Sequence, residues 1–181
     1  YQKFQADQIY TGKKLLEGNP KCGSMNEGFT PILVVKEDGT VEGIITKEEA
    51  GEDIQIVQGT LTPGFINAHC HLELSHLKGQ IPTGTGLLPF LKAVVTLREF
   101  PQEVIRQAIE AQDQAMWEAG IMAVGDISNK IDTADCKRKS PIRYATFIEF
   151  FDFMQPHLTS KFVSQYLEVY QNFHPKKEDK I

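Results

Sequence analysis

The sequence predicts an α/β protein: a parallel sheet of strand–helix repeats, preceded by the strands of a small β-sandwich. Three observations carry this. Within residues 1–60 the apolar runs are short, β-branched and separated by turn residues. From residue 61 onward short apolar runs alternate with stretches of helical 3/4 spacing. A helical stretch ending at Glu118 is followed by Gly120 and at once by another apolar run, the order of a right-handed strand–helix–strand unit.

Phe4 to Tyr10 alternates loosely and ends at Thr11-Gly12. Pro31 to Lys36 is apolar and β-branched, and Glu37-Asp38-Gly39-Thr40 supplies hairpin turn chemistry, so Val41 to Thr46 is expected to pair back on it. Asp53 to Gln58 gives one more strand, ended by Gly59. Together these predict an antiparallel β domain over residues 1–60. Leu61 to Glu73 reads as a buried strand, and Lys78 to Gly86 as a Gly- and Pro-containing loop. Leu87 to Arg98 has Leu87, Leu88, Leu91, Val94 and Val95 on one helical face. Pro101 suits the first position of the next helix, whose stripe is Val104, Ile105, Ala108, Ala111, Ala115 and Met116. Ile121 to Ile127 is the second parallel strand, and Ser128 to Ser140 a loop holding at most a helical turn. Ile142 to Phe150 is the third strand, and Thr159 to Phe173 a helix with Phe162, Val163, Tyr166, Leu167 and Tyr170 inward. The tail from Lys176 to Ile181 is charged and expected to fray.

The chemistry concentrates at His69-Cys70-His71. Alternate strand residues share a face, so the two histidines project together, ~6.5–7 Å apart at Cα, while Cys70 points the other way as a small buried hydrophobe. Two neutral imidazoles so placed can converge on one divalent ion. A bare H-x-H pair is weak evidence, since histidines bonded to backbone at strand ends give the same pattern. Pro63-Gly64 just before the run Phe65-Ile66 strengthens it, because the histidines then fall where the run ends.

The string Pro63-Gly-Phe-Ile-Asn-Ala-His-Cys-His71, with Glu73 two positions beyond, resembles the first barrel strand of the amidohydrolase superfamily. These are metal-dependent hydrolases and deaminases built on a TIM-like (β/α)8 barrel. Ala119 to Asp126 is similar to that family's junction between helix and second strand. His71 to Gly79, H-L-E-L-S-H-L-K-G, looks most like the nucleoside and nucleobase deaminase branch, in particular the aminodeoxyfutalosine deaminases, although chlorohydrolases and guanine deaminases share much of it. The resemblance extends from the N-terminus to about Phe153. It implies one divalent metal, zinc or alternatively Fe2+, with His69 and His71 as ligands. It also implies hydrolysis of a non-peptide C–N bond by hydroxide formed on that metal, in a small-molecule substrate of aminopurine nucleoside or nucleobase type.

A complete barrel takes ~250 residues. At 181 residues the chain is expected to supply residues 1–60 as sandwich strands, and residues 61–181 as about three of the eight β/α units. The family's other ligands, histidines of the fifth and sixth strands and an aspartate of the eighth, then lie outside it, as do its main acid/base residues. The catalytic residues are therefore unknown from this sequence, and the chain alone is expected to be inactive. The competing reading is a non-catalytic fragment that needs another chain or segment to complete the barrel, as a homo-oligomer or swapped assembly. Glu73, His76, Asp126 and Glu149 are the candidates for the substrate pocket, each with a plain alternative: a solvated acid, a surface histidine, a loop-bonding aspartate, and an acid turned to the helix layer.

Hydrophobic residues are 41% and charged residues 24% of the chain, as in ordinary globular proteins. A net charge of −5 gives no electrostatic footprint for nucleic acid or anionic membrane. Cys22, Cys70 and Cys136 form no C-x-x-C, which reads as reduced thiols and a cytoplasmic protein. Trp117 and Phe147, Phe150, Phe151 and Phe153 are expected in core or helix-layer packing.

Overall fold

In the computed structural model, residues 1–17, 30–151 and 155–173 are described. Cys22, Phe153, His174 and the charged tail lie outside them. The chain divides into two compact units, Tyr1–Pro63 and Gly64–Ile181.

The first unit holds β1 (Gln2–Gln5), β2 (Gln8–Tyr10), β3 (Leu15–Glu17), β4 (Ile32–Val35), β5 (Val41–Ile45), the single turn α1 (Lys47–Ala50), β6 (Ile54–Ile56) and β7 (Thr60–Leu61). They form two sheets, ordered β5-β4-β1-β6 and β3-β2-β7. The expected Phe4–Tyr10 strand is in fact two strands in different sheets. Ala6 turns inward at the break, and the Asp7 carboxylate accepts the Gly59 N–H at 2.7 Å, tying the turn to the far end of the unit. The β4–β5 hairpin forms as its turn residues predict. A wholly antiparallel domain does not form, because β6 and β7 return beside β1 and β2 and pair with them in parallel. Among its described residues Ala6, Ile9, Pro31, Ile32, Val34 and Ala50 are buried.

The second unit carries β8 (Phe65–Cys70), a 3₁₀ helix (Leu72–Leu77), α2 (Leu87–Leu97), α3 (Gln102–Glu118), β9 (Ile121–Ser128), α4 (Ala134–Lys139), β10 (Arg143–Ile148), a short 3₁₀ turn (Pro156–Leu158) and α5 (Thr159–Phe173). The sheet runs β10-β9-β8, and both pairs are parallel. Neighbours in space are neighbours in sequence, the singly wound order that lets a sheet curl into a barrel rather than the reversing order of a doubly wound one. Gly120, at φ 79°, ends α3, and its carbonyl accepts the Phe65 N–H at 2.8 Å, so the loop lies against the start of β8.

Between sheet and helices lies a core of Leu72, Ile105, Ile109, Met116, Val124 and Ile142, with Cys70, Ile121, Cys136 and Tyr144 at its margin. The buried stripe of α3 is Ile105, Ile109, Asp113 and Met116, rotated from the predicted one; Val104 faces out. On α5 only Tyr166 and Val169 are buried, and on α2 none is. The strand read as buried exposes Phe65 and Ile66, and Trp117, Phe147, Phe150 and Phe151 are surface residues of the described chain rather than core. Periodicity identifies a helix's apolar side but not the neighbour that covers it.

Candidate metal centre

The H-x-H strand departs from simple alternation at the place that matters. Asn67 pairs with Val124 and Cys70 with Asp126, so three steps along β8 match two along β9: one extra residue is bulged out. Asn67 and Cys70 thereby both face the helix layer. The Asn67 amide lies 3.8 Å from the Met116 sulfur, and Cys70 packs on the core cluster. Asn67 also accepts the His69 N–H through Oδ1 at 3.3 Å. Gly125 abuts the bulge: a Cβ there would stand 2.7 Å from the Ala68 carbonyl oxygen.

His69 is exposed and His71 half-buried, with ring centroids 5.3 Å apart and planes inclined at 61°. Two rings sharing a tetrahedral cation at ~2.0–2.1 Å bonds have centroids about 5 Å apart, so the spacing suits a common ion. Neither ring hydrogen-bonds another described residue, which leaves their nitrogens available to a borderline cation such as zinc. Among the described residues there is no group of three or more His, Cys, Asp or Glu side chains able to hold a metal. The two imidazoles alone are fewer than the three or four protein ligands a zinc site uses.

The strand stops at Cys70, and Glu73 leaves the histidine side with the 3₁₀ helix. Its carboxylate is buried, taking the N–H groups of Asn129 and Lys130 on Oε2 at 2.8 and 2.9 Å and the Arg98 guanidinium on Oε1 at 3.0 Å. Burial pushes its pKa up from the ordinary value, while the two N–H groups and Arg98 pull the other way. Glu73 thus ties the turn after β8 to the loop after β9. His76 is buried too: its Nε2–H donates to the Arg98 carbonyl at 3.0 Å, its ring stacks at a tilt on Phe100 at 5.2 Å, and its Nδ1 has no hydrogen-bond partner among the described residues. Arg98 therefore grips the same 3₁₀ helix twice.

Asp126 is wholly buried. Its Oδ1 accepts the Leu72 N–H at 2.7 Å, and its Oδ2 lies 2.6 Å from the Lys137 ammonium and accepts the Ser128 hydroxyl at 3.0 Å. Lys137 sits on α4, within the segment read as loop, and burial lowers its pKa against the pull of Asp126. Only the backbone of Glu149 is engaged among the described residues: its N–H donates to Ser128, and its carbonyl accepts the Asn129 amide at 2.7 Å. None of Glu73, His76, Asp126 and Glu149 lines the groove of about 810 Å³ beside His71. That groove is walled chiefly by Leu77, Ile81, Leu87, Phe90 and Val94, with a size and apolar lining typical of small-molecule sites.

The model of the Amidohydrolase family matches residues 60–172, and the chain belongs to that family. An adenosine deaminase of Helicobacter pylori (strain ATCC 700392 / 26695) is 33% identical over 93 residues, which is 50% of this chain and 22% of that protein. Among solved structures, the aminofutalosine deaminase of Helicobacter pylori in complex with methylthio-coformycin is similar at a TM-score of 0.65 and 21% identity, over 99% of this chain and 42% of that one. Atrazine chlorohydrolase TrzN from Arthrobacter aurescens TC1, complexed with zinc, is similar at 0.68 and 14% identity, over 100% and 44%. The likeness to these structures is one of fold. The chain spans less than half the length of each of these relatives. Among the described residues no helix is long and apolar enough to cross a membrane.

Proposed function

We propose that this chain is the amino-terminal part of a metal-dependent deaminase acting on an aminopurine nucleoside or nucleobase, with His69 and His71 as two ligands of one divalent metal. The observation that carries the reading is the imidazole pair, 5.3 Å apart at the C-terminal end of the first of three parallel strands, in a chain of the Amidohydrolase family. Barrel enzymes build their sites at that end of the sheet. The adenosine deaminase and aminofutalosine deaminase likenesses support the substrate class, and the zinc of the chlorohydrolase supports the metal.

A divalent cation held in part by His69 and His71 would supply Lewis acidity toward a bound water. The chain's own residues do the rest of what it contributes. Asn67 and the bulge aim His69, and the apolar groove beside His71 offers a dry wall for a flat heterocycle. Glu73 and Asp126 hold backbone and cations, so they are unsuited to shuttling protons. The groups that move protons to the leaving ammonia are proposed to come from beyond the described residues.

A second reading has its own observation. Both outer strands, β8 and β10, have an unpaired edge among the described residues, and Phe65, Ile66 and Phe147 are exposed on them. Such edges invite completion by another segment or chain. Ammonia release from a panel of aminopurine nucleosides and nucleobases with added zinc, measured on a version extended through the remaining barrel strands, tests the first reading. Turnover abolished by His69→Ala and by a chelator is expected. An extended protein that binds zinc and turns over none of the panel would favour the second.

A further inference from the structure

We propose that Asp126 and Lys137 form a positioning pair that fixes His71 by way of the Leu72 amide, an inference that rests on the metal-ligand role proposed for His71. His71 is the single residue between the last rung of β8, Cys70 opposite Asp126, and the first residue of the 3₁₀ helix, Leu72. Asp126 therefore holds both sides of it: through the ladder before, and through the Leu72 N–H at 2.7 Å after. Leu72 is itself completely buried, and its carbonyl takes the Ser75 hydroxyl at 2.6 Å, so the backbone leaving His71 has one path.

A buried carboxylate holds one geometry only if its charge is met. Lys137 meets it at 2.6 Å, with its side chain only 6% exposed. The ammonium is fixed in turn by the hydroxyl oxygens of Thr146 at 2.9 Å and Ser128 at 3.3 Å, and lies 4.6 Å from the ring centre of Phe173 and 5.4 Å from that of Tyr144. Three elements, β9, α4 and β10, thus converge on one carboxylate that also takes the amide after His71 and meets the Cys70 thiol before it. Neither Asp126 nor Lys137 lines the groove, so the pair acts through backbone rather than on a substrate.

The test uses the 181-residue chain with Lys137→Met, Lys137→Arg and Asp126→Ala. Asp113→Asn is the control, since it disturbs a buried carboxylate of the same unit that contacts Tyr144 and Ser140 instead. Three readouts are taken: Leu72 amide exchange, the nuclear Overhauser contact between the His69 and His71 rings, and zinc affinity by competition with a chromophoric chelator. In Lys137→Met, Leu72 exchange is expected to rise at least tenfold beyond that of the other β9 and 3₁₀ amides. The ring contact is lost, and zinc binding weakens by about tenfold, the low end for loss of an outer support. Lys137→Arg restores all three, and Asp113→Asn at matched stability changes none. Asp126→Ala gives the same pattern where it folds; Lys137→Met decides where it does not. Leu72 exchange rising only with global unfolding, or loosening of Leu72 with the ring contact and zinc affinity intact, overturns the proposal. Failure of the unmutated chain to bind zinc would count against the metal reading of His71 alone, because the two metal-free readouts still judge the positioning.

Discussion

Glu73 follows the H-x-H strand by three residues and Asp126 pairs opposite its last residue, yet both carboxylates turn into the protein and hold backbone N–H groups. The reason is long-range. Each meets a cation, Arg98 or Lys137, contributed by a segment 25 or 11 residues away, and no local pattern marks those partners. The H-x-H pair itself was legible because it is local. The bulge beneath it was not, since it depends on the register against β9 and on the space Gly125 leaves there. Gly125→Ala is therefore expected to destabilise the protein by about 1–3 kcal/mol through forced overpacking, read from chemical denaturation. An unchanged midpoint would show that the bulge yields freely. The thiols offer a pH test. Burial first, and the Asp126 charge second, push Cys70 from 9.0 up to about 11, and burial does the same to Cys136. A raised thiol pKa keeps the neutral form, so alkylation should climb about tenfold per pH unit from 8 to 10.5 without levelling. A thiol left at 9.0 is half ionised by pH 9, and at pH 8 its thiolate fraction is about 100-fold larger. A plateau below pH 10 in peptide-mapped alkylation would contradict this.

Helix α3 and helix α2 show how much of an element a sequence specifies. Both have helical periodicity, and both form close to their predicted bounds. Only α3 is packed, because Ile105, Ile109 and Met116 meet Leu72 and Val124 beneath the sheet. In α2 the apolar residues Leu87, Leu88, Leu91 and Val95 stay exposed, Leu88 at 78%. Strand order and crossover came from the alternation of patterns, which is a property of the whole segment. The burial stripe of α3 did not, since Asp113 joins it by accepting the hydroxyls of Tyr144 and Ser140 from later elements. Ile109→Ala is accordingly expected to cost about 2–5 kcal/mol. Leu88→Ala should stay within about 0.5 kcal/mol, as for a surface change. Equal losses in urea titrations would mean that α2 is buried in solution.

At the scale of the whole molecule, three consecutive parallel strands carry two adjacent imidazoles and an apolar groove, in a chain that covers 42–44% of the similar solved deaminase and chlorohydrolase. Positioned charge acts in catalysis only when metal, base and orienting groups are assembled together. The 181-residue chain by itself is thus expected to release no ammonia from aminopurine nucleosides with added zinc, and turnover abolished by His69→Ala would contradict that. The proposed site requires that His69 and His71 share one metal. It is tested most directly by zinc titration of the 181-residue chain, followed through the ring nitrogen resonances of its five histidines. The His69 and His71 signals are expected to shift together, saturate at one equivalent, and return on chelation, while His76 stays still. Movement of either ring without the other, or of neither at saturating zinc, would contradict it.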